Sequence, residues 1–200
     1  FGTTLLVNTF VQDIVLGFSC FTIVFGSAMA WREQHLKRRF AYSTISNLSY
    51  ILVGIGLMST EGFIGAMSHM LFHAVMKICL FFCVGVIMYK THKEYVYQIE
   101  GYGTKMPVTF ACFMVGACAL SGIPLFAGFV SKSALASAAV LNSSVWSLVI
   151  VLCLLISAIL TAAYTFEICI KGFVISNLAE LQIIENLNLK KDIDFIFQMM

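Results

Sequence analysis

The chain has 200 residues, of which 60% are hydrophobic and 11% charged, and its mean hydropathy is +0.94. Soluble domains carry about a quarter charged residues, so this composition excludes a water-soluble globular domain and fits a polytopic helical membrane protein. The net charge of +2 is uninformative, because the placement of charge matters more than its sum, and nucleic acid is not an expected partner.

Seven cysteines (Cys20, Cys79, Cys83, Cys112, Cys118, Cys153 and Cys169) all lie in apolar runs with no CxxC pair. They read as small hydrophobes, and the redox compartment stays open. The chain opens on Phe1, and its apolar content begins at once. It reads as a fragment of a longer chain.

Five hydrophobic segments follow in order. The first spans about 11–31. The second, about 40–58, is polar for a span, with Ser43, Thr44, Ser46, Asn47 and Ser49 crowding its first half. The third, about 63–89, contains His69, His73 and Lys77. The fourth, about 107–141, is too long for one straight crossing, since about 20 residues suffice. It carries its own break near 122–128, where Gly122 and Pro124 end a helix and Gly128 follows. The fifth spans about 145–170. Residues 1–173 thus form one transmembrane unit, and 174–200 read as a polar or amphipathic tail.

Ten of the twelve Lys/Arg residues lie outside these spans, in alternate connections: Arg32, Lys37, Arg38 and Arg39; then Lys90, Lys93 and Lys105; then Lys171, Lys190 and Lys191. By the positive-inside rule these faces are cytoplasmic, or the organellar equivalent, and the first segment starts outside. Asp13 and Glu167 read as near-interface groups. Gly101–Gly103 spells a potassium-filter tripeptide in a charged loop, and Asn142 a glycosylation sequon in a very short one. Both are set aside.

His69, His73 and Lys77 stand at steps of four residues, which places them on one helix face. An ionisable group inside a span is costly and by default marks an ion path. Histidine titrates near pH 6.5, and a desolvated lysine can lose its proton several units below its usual value. Such side chains can alternate between charged and neutral near physiological pH. Successive members are about 6 Å apart along the axis, so water must bridge them. Lys132 lies just past the break, and broken backbone at membrane depth lines a cavity or packs in protein. Two plainer readings stand beside this one: a hydrogen-bonded structural histidine pair and a snorkelling Lys132 at a proline kink. A metal site is not expected, since the HExxH glutamate is absent.

Four blocks, "HLKRRFAYSTISNLSYILVGIGL", "GAMSHMLFHAVMKICLFFCVGVI", "MPVTFACFMVGACALSGIPLFAGFVSK" and "LISAILTAAYTFEI", occur in this order. Together they resemble the antiporter-like proton-translocating subunits of respiratory complex I, a superfamily shared with Mrp-type cation/proton antiporter subunits and energy-converting hydrogenases. The resemblance covers about residues 31–172. It implies a 14-helix subunit built from two inverted five-helix repeats, of which these spans match helices nine to thirteen. It assigns Lys132 to the broken twelfth helix, His69, His73 and Lys77 to the eleventh, and Lys37 to the start of the tenth, all in a hydrated proton path. The lysine at 132 and the HxxxHxxxK block are more similar to the terminal large subunit than to its glutamate-bearing neighbour. Two positions depart from the pattern: His35 stands where an aspartate is common, and Ser133 where an acidic residue follows the helix-twelve lysine.

The expected function is therefore proton translocation, as part of a subunit of a complex I-like NADH:quinone oxidoreductase whose redox chemistry lies in other subunits. No catalytic residue, cofactor or metal is expected in this chain. The expected partners are other membrane subunits, the lipid bilayer and protons, in a bacterial or archaeal plasma membrane or an organellar inner membrane. The alternatives are an Mrp-type Na⁺/H⁺ antiporter subunit and a hydrogenase antiporter-like subunit. A membrane metalloenzyme built on His69 and His73 is a third and more distant class.

Overall fold

A computed structural model describes residues 7, 9–142 and 145–173, and the 174–200 tail lies outside the described residues. The described chain is helical: α1 (Phe10–Arg32), α2 (Leu36–Gly56), α3 (Thr60–Thr91), a 3-10 turn (Val96–Gln98), α4 (Tyr102–Lys105), α5 (Pro107–Ser121), α6 (Ala127–Leu141) and α7 (Trp146–Phe173). It is a polytopic transmembrane helix bundle with a discontinuous fourth span. Helices α1, α3 and α7 are each long and apolar enough to cross a membrane. Helix α2 has 21 residues, but its serines and asparagine dilute its apolar character.

Local chemistry sets the helix ends. Ser59 caps α3 by accepting from the Gly62 amide at 3.1 Å, with Glu61 in the first turn, Lys90 in the last and His92 closing in the left-handed region. Pro107 opens α5, where its missing N–H costs nothing. Gly122 ends α5 at φ +85, a conformation suited to glycine.

Helices α5 and α6 have 15 residues each, about 22 Å, too short to cross about 30 Å of hydrocarbon alone. They lie along successive parts of the 32-residue α3. The C-terminal half of α3 (Leu80, Cys83, Val84, Ile87) packs on Phe110, Phe113 and Ala117 of α5. Its N-terminal half meets α6, where Gly65 abuts Leu135. The connection at 122–126 bends at Pro124 and at Leu125, which has φ 83.

Two apolar cores result, one toward each end of the bundle. The core on the basic side joins Leu36 and Phe40 of α2 to the α3–α5 cluster and to Ile168 and Cys169 of α7. The other joins Leu16, Cys20 and Ile23 of α1, Tyr50, Val53 and Leu57 of α2, Leu135, Ala138 and Ala139 of α6, and Ile150 and Leu154 of α7. Between them runs a buried polar layer: Ser27, Ser43, Ser46, Asn47, His69, His73, Ser121, Ser131, Ser157, Thr161 and Thr165. The helix break falls in this layer.

The basic connections share one end of the bundle. The Leu36 amide donates to Glu94 O and the Val96 amide to Gln34 O, each at 2.9 Å, and the Gly101 amide reaches Lys171 O. Arg39 is fully buried beneath them. Its Nε donates to Glu33 O at 2.7 Å, and Nη1 to Tyr164 O at 3.0 Å and to the Glu167 carboxylate at 2.8 Å. Lys171 holds the other Glu167 oxygen at 2.8 Å. This clamp corrects the loop placement of Lys37, Arg38 and Arg39. All three stand in the first turn of α2, which begins at Leu36, and of the three Arg39 is the one whose guanidinium carbonyls and Glu167 satisfy.

The break and the clamp each set a stability expectation. A Cβ on Gly128 would meet Ala119 O at 1.8 Å, whereas one on Gly85 would meet nothing within 4 Å. Gly128→Ala is expected to cost about 3 kcal/mol or more by overpacking the break, and Gly85→Ala to be harmless, as read by thermal denaturation in detergent. Glu167→Gln strands the buried Arg39 charge and is expected to cost about 2–3 kcal/mol, the low end of such losses because Glu167 stays 25% exposed. In the same assay, adding Arg39→Met to Glu167→Gln should cost less than the sum of the two single changes.

Candidate functional site

Lys132 explains why the break sits where it does. In a continuous helix the Leu120 carbonyl would accept from the amide four residues on, and that residue is Pro124, which has no N–H. The Lys132 ammonium takes the vacant acceptor, donating to Leu120 O at 2.7 Å and approaching Ser121 O at 3.3 Å. These are the last carbonyls of α5, where a helix end carries partial negative charge. The ammonium also lies 5.5 Å from the Tyr50 ring centroid.

On α3, His69 is fully buried, and His73 and Lys77 are 5% and 6% exposed. His69 Nδ1 is 2.9 Å from Ser131 Oγ on α6. Ser131 Oγ also lies 3.3 Å from Gly128 O, so the hydroxyl can donate to that carbonyl or to His69 Nδ1, and the imidazole tautomer decides which. The Nε2 atoms of both histidines are buried with no protein partner. The two rings stack at 5.9 Å and 19°, and His69 stacks on Tyr50 at 5.2 Å and 23°. Lys77 Nζ donates to Phe40 O at 3.0 Å and lies 5.2 Å from the Phe40 ring and 5.9 Å from the Phe81 ring.

The four groups form a series. His69 lies within electrostatic reach of Lys132 and His73, and His73 within reach of both lysines. Among the described residues neither Lys77 nor Lys132 is in an ion pair. No third His, Cys, Asp or Glu joins the two histidines in a metal-competent group there. A row of protonatable nitrogens held by neutral acceptors can pass a proton along, given water between members.

The structure does not bring Lys37 to this row. It is exposed in the first turn of α2, while Arg39 and Phe40 on the same helix turn inward. His35 pairs with Glu94 at 3.4 Å in the basic connections, and Ser133 Oγ donates to Val130 O within its own helix. Asp13 accepts from Trp146 Nε1 at 2.7 Å, far from the row.

Several members of the site escaped sequence reasoning. Tyr50 and Ser131 touch the row directly. Around them Ser27 Oγ meets Ser46 Oγ at 2.7 Å and Ser157 Oγ at 2.6 Å. Ser43 bonds to the Tyr164 hydroxyl, Ser121 Oγ lies 3.3 Å from Thr165 Oγ1, and Asn47 Oδ1 is buried without a partner. One signal was available: Ser157, Thr161 and Thr165 recur at four-residue steps, a polar stripe down one face of α7.

Comparison with known proteins places this arrangement among its relatives. The NAD(P)H-quinone oxidoreductase chain 4 1 of Synechococcus elongatus is 40% identical over 110 residues, covering 55% of this chain and 21% of that protein. The NADH-quinone oxidoreductase subunit N of Desulforudis audaxviator is 36% identical over 146 residues, covering 73% and 28%. The chain thus spans about a quarter of the length of these relatives. Among solved structures, a chain of the Mrp complex from Dietzia sp. DQ12-45-1b superposes with a TM-score of 0.77 at 25% identity, covering 82% of this chain and 30% of that one. Residues 2–161 match the transmembrane family described as NADH:quinone oxidoreductase/Mrp antiporter, and this chain belongs to that family.

Proposed function

We infer that this chain supplies half of a proton-translocating unit in a multi-pass membrane subunit of a complex I-like NADH:quinone oxidoreductase. The observation that carries the reading is the pair of lysines, Lys77 buried and Lys132 half-buried, set at the two ends of a histidine pair and held by carbonyls, with no carboxylate beside either among the described residues. A structural cation in hydrocarbon is normally paired with an anion. An amine without one can become neutral where it stands, which a proton carrier requires.

In this reading a proton held on the Lys132 amine passes through His69 and His73 to Lys77. Each histidine offers a buried Nε2 with no protein partner, which can take a proton and hand it on through bridging water. The direction of travel is set by conformational or electrostatic coupling from elsewhere in the assembly. Electron transfer belongs to partner subunits, and no cofactor is assigned to this chain. Its partners are other membrane subunits of such an assembly, and its setting is a prokaryotic plasma membrane. Lys37 remains a candidate member only at the mouth of the path, in keeping with its exposure.

The likeness to the Mrp complex structure supports a second reading, Na⁺/H⁺ exchange through the same helices without electron transfer. Vesicles separate the two: in the first reading proton flux follows NADH oxidation and is indifferent to replacing Na⁺ by K⁺, and in the second it follows a Na⁺ gradient.

The full-length subunit carrying Lys132→Ala or Lys77→Met, assembled in its complex and reconstituted in vesicles, is expected to slow proton transfer through this half by about a hundredfold or more. Undiminished acidification by the assembled Lys132→Ala complex would remove that lysine from the path.

A further inference from the structure

Tyr50 is fully buried in the middle of α2 and touches two members of the row at once. Its ring stacks on His69 at 5.2 Å and lies 5.5 Å from Lys132 Nζ. Its hydroxyl points elsewhere, donating to Leu154 O on α7 at 3.3 Å. The face of an aromatic ring is electronegative and attracts a cation, most strongly where water is excluded. Lys77 repeats the arrangement ten residues earlier on the same helix, with its ammonium on the Phe40 carbonyl and 5.2 Å from the Phe40 ring. Helix α2 thus presents one ring to each of the two amines.

The geometry points to Tyr50 as a positioning residue of the relay, whose ring face steadies the Lys132 ammonium beside His69 and favours the protonated amine over the free one. This rests on the relay reading given above. The groups that face Lys132 are the Tyr50 ring from α2, His69 and His73 from α3, the Leu120 and Ser121 carbonyls from α5, and from α7 the Thr165 hydroxyl behind Ser121. The ring does not exchange protons itself. It offers a fixed negative face that costs no counter-charge when the proton leaves, which a carboxylate at the same place could not do.

The sign of the effect follows. Without the ring face the ammonium gives up its proton at lower pH, so the alkaline limb of the pumping profile moves toward acid. The expected displacement is about one pH unit for a desolvated cation–π contact.

The test uses the full subunit in its complex, reconstituted in vesicles, with acidification followed against pH for Tyr50→Phe, Tyr50→Leu, position 50 carrying trifluorinated phenylalanine, and Lys132→Met as reference. Tyr50→Phe is expected to keep the parental profile, while fluorination, which removes the electronegative face at nearly constant volume, and Tyr50→Leu move the alkaline limb down by about one unit. Two outcomes overturn the proposal: a fluorinated profile that coincides with that of Tyr50→Phe, or a Tyr50→Phe as impaired as Tyr50→Leu, which would assign the residue to its hydroxyl bond and packing. Should Tyr50→Leu fail to assemble, the fluorinated pair decides. An inactive Lys132→Met beside an unmoved ring series sinks the Tyr50 role alone, whereas a fully active Lys132→Met removes the relay reading and this role together.

Discussion

An ammonium group at membrane depth needs oxygen acceptors, and this fold makes one by leaving a backbone carbonyl without its helical partner. Pro124 cannot donate to Leu120 O, so that carbonyl is open, and Lys132 occupies it at 2.7 Å. The rest of the bundle is arranged to make the opening tolerable. Gly122 turns the chain in the left-handed region, and Gly128 lets α6 approach the Ala119 carbonyl at a distance no Cβ would permit. The long α3 spans both half-helices and holds them in line from one apolar core to the other. Without the break there would be no acceptor, and without the acceptor a lysine at this depth would be driven to the surface.

The polar layer between the cores is stable because most of its members are first satisfied within their own helices. Ser27 donates to Ile23 O, Asn47 to Ser43 O, Ser121 to Ala117 O, Thr161 to Ser157 O and Thr165 to Thr161 O, each four residues back. Each hydroxyl proton is thus placed without a tertiary partner, while the oxygen lone pairs remain available sideways. The lateral contacts, such as the junction of Ser27, Ser46 and Ser157, then join three helices at little desolvation cost. The histidines differ. Their Nε2 atoms and Asn47 Oδ1 are buried with no protein partner, so the unsatisfied polarity of the layer gathers beside the row of titratable groups.

Much of this is legible in the sequence, and what is not legible shares one cause. Apolar runs gave the long helices, Pro124 with Gly122 gave the break, and steps of four gave the His69–His73–Lys77 face, since all these signals lie within one element. What the sequence does not separate is Lys37, which stands exposed, from Arg39, two residues on, which is buried. Nothing local separates the two. The difference is set by Tyr164 and Glu167, which lie about 125 residues away in the chain and meet Arg39 only after α2 and α7 pack. Tyr50 was overlooked for the same reason: an aromatic residue in an apolar run reads as core until His69 and Lys132 are seen against its ring.

The bundle holds two kinds of cation within it and treats them differently. Arg39 receives a carboxylate, three carbonyls (Trp31 in α1, Glu33 just past its end and Tyr164 in α7) and a place at the basic end, as suits arginine, a residue type that does not give up its proton. Lys77 and Lys132, whose residue type can release a proton when desolvated, receive carbonyls and ring faces, with no carboxylate among the described residues. A carboxylate beside either lysine would stabilise the charged form so strongly that the proton could not leave without stranding an anion in hydrocarbon. Neutral acceptors impose no such penalty, because a carbonyl or a ring left facing a free amine loses an attraction and exposes no net charge. The choice of partner therefore separates the cations by role. Arg39 is paired with an anion, and the two lysines to which the proposed relay gives changing charge have none among the described residues.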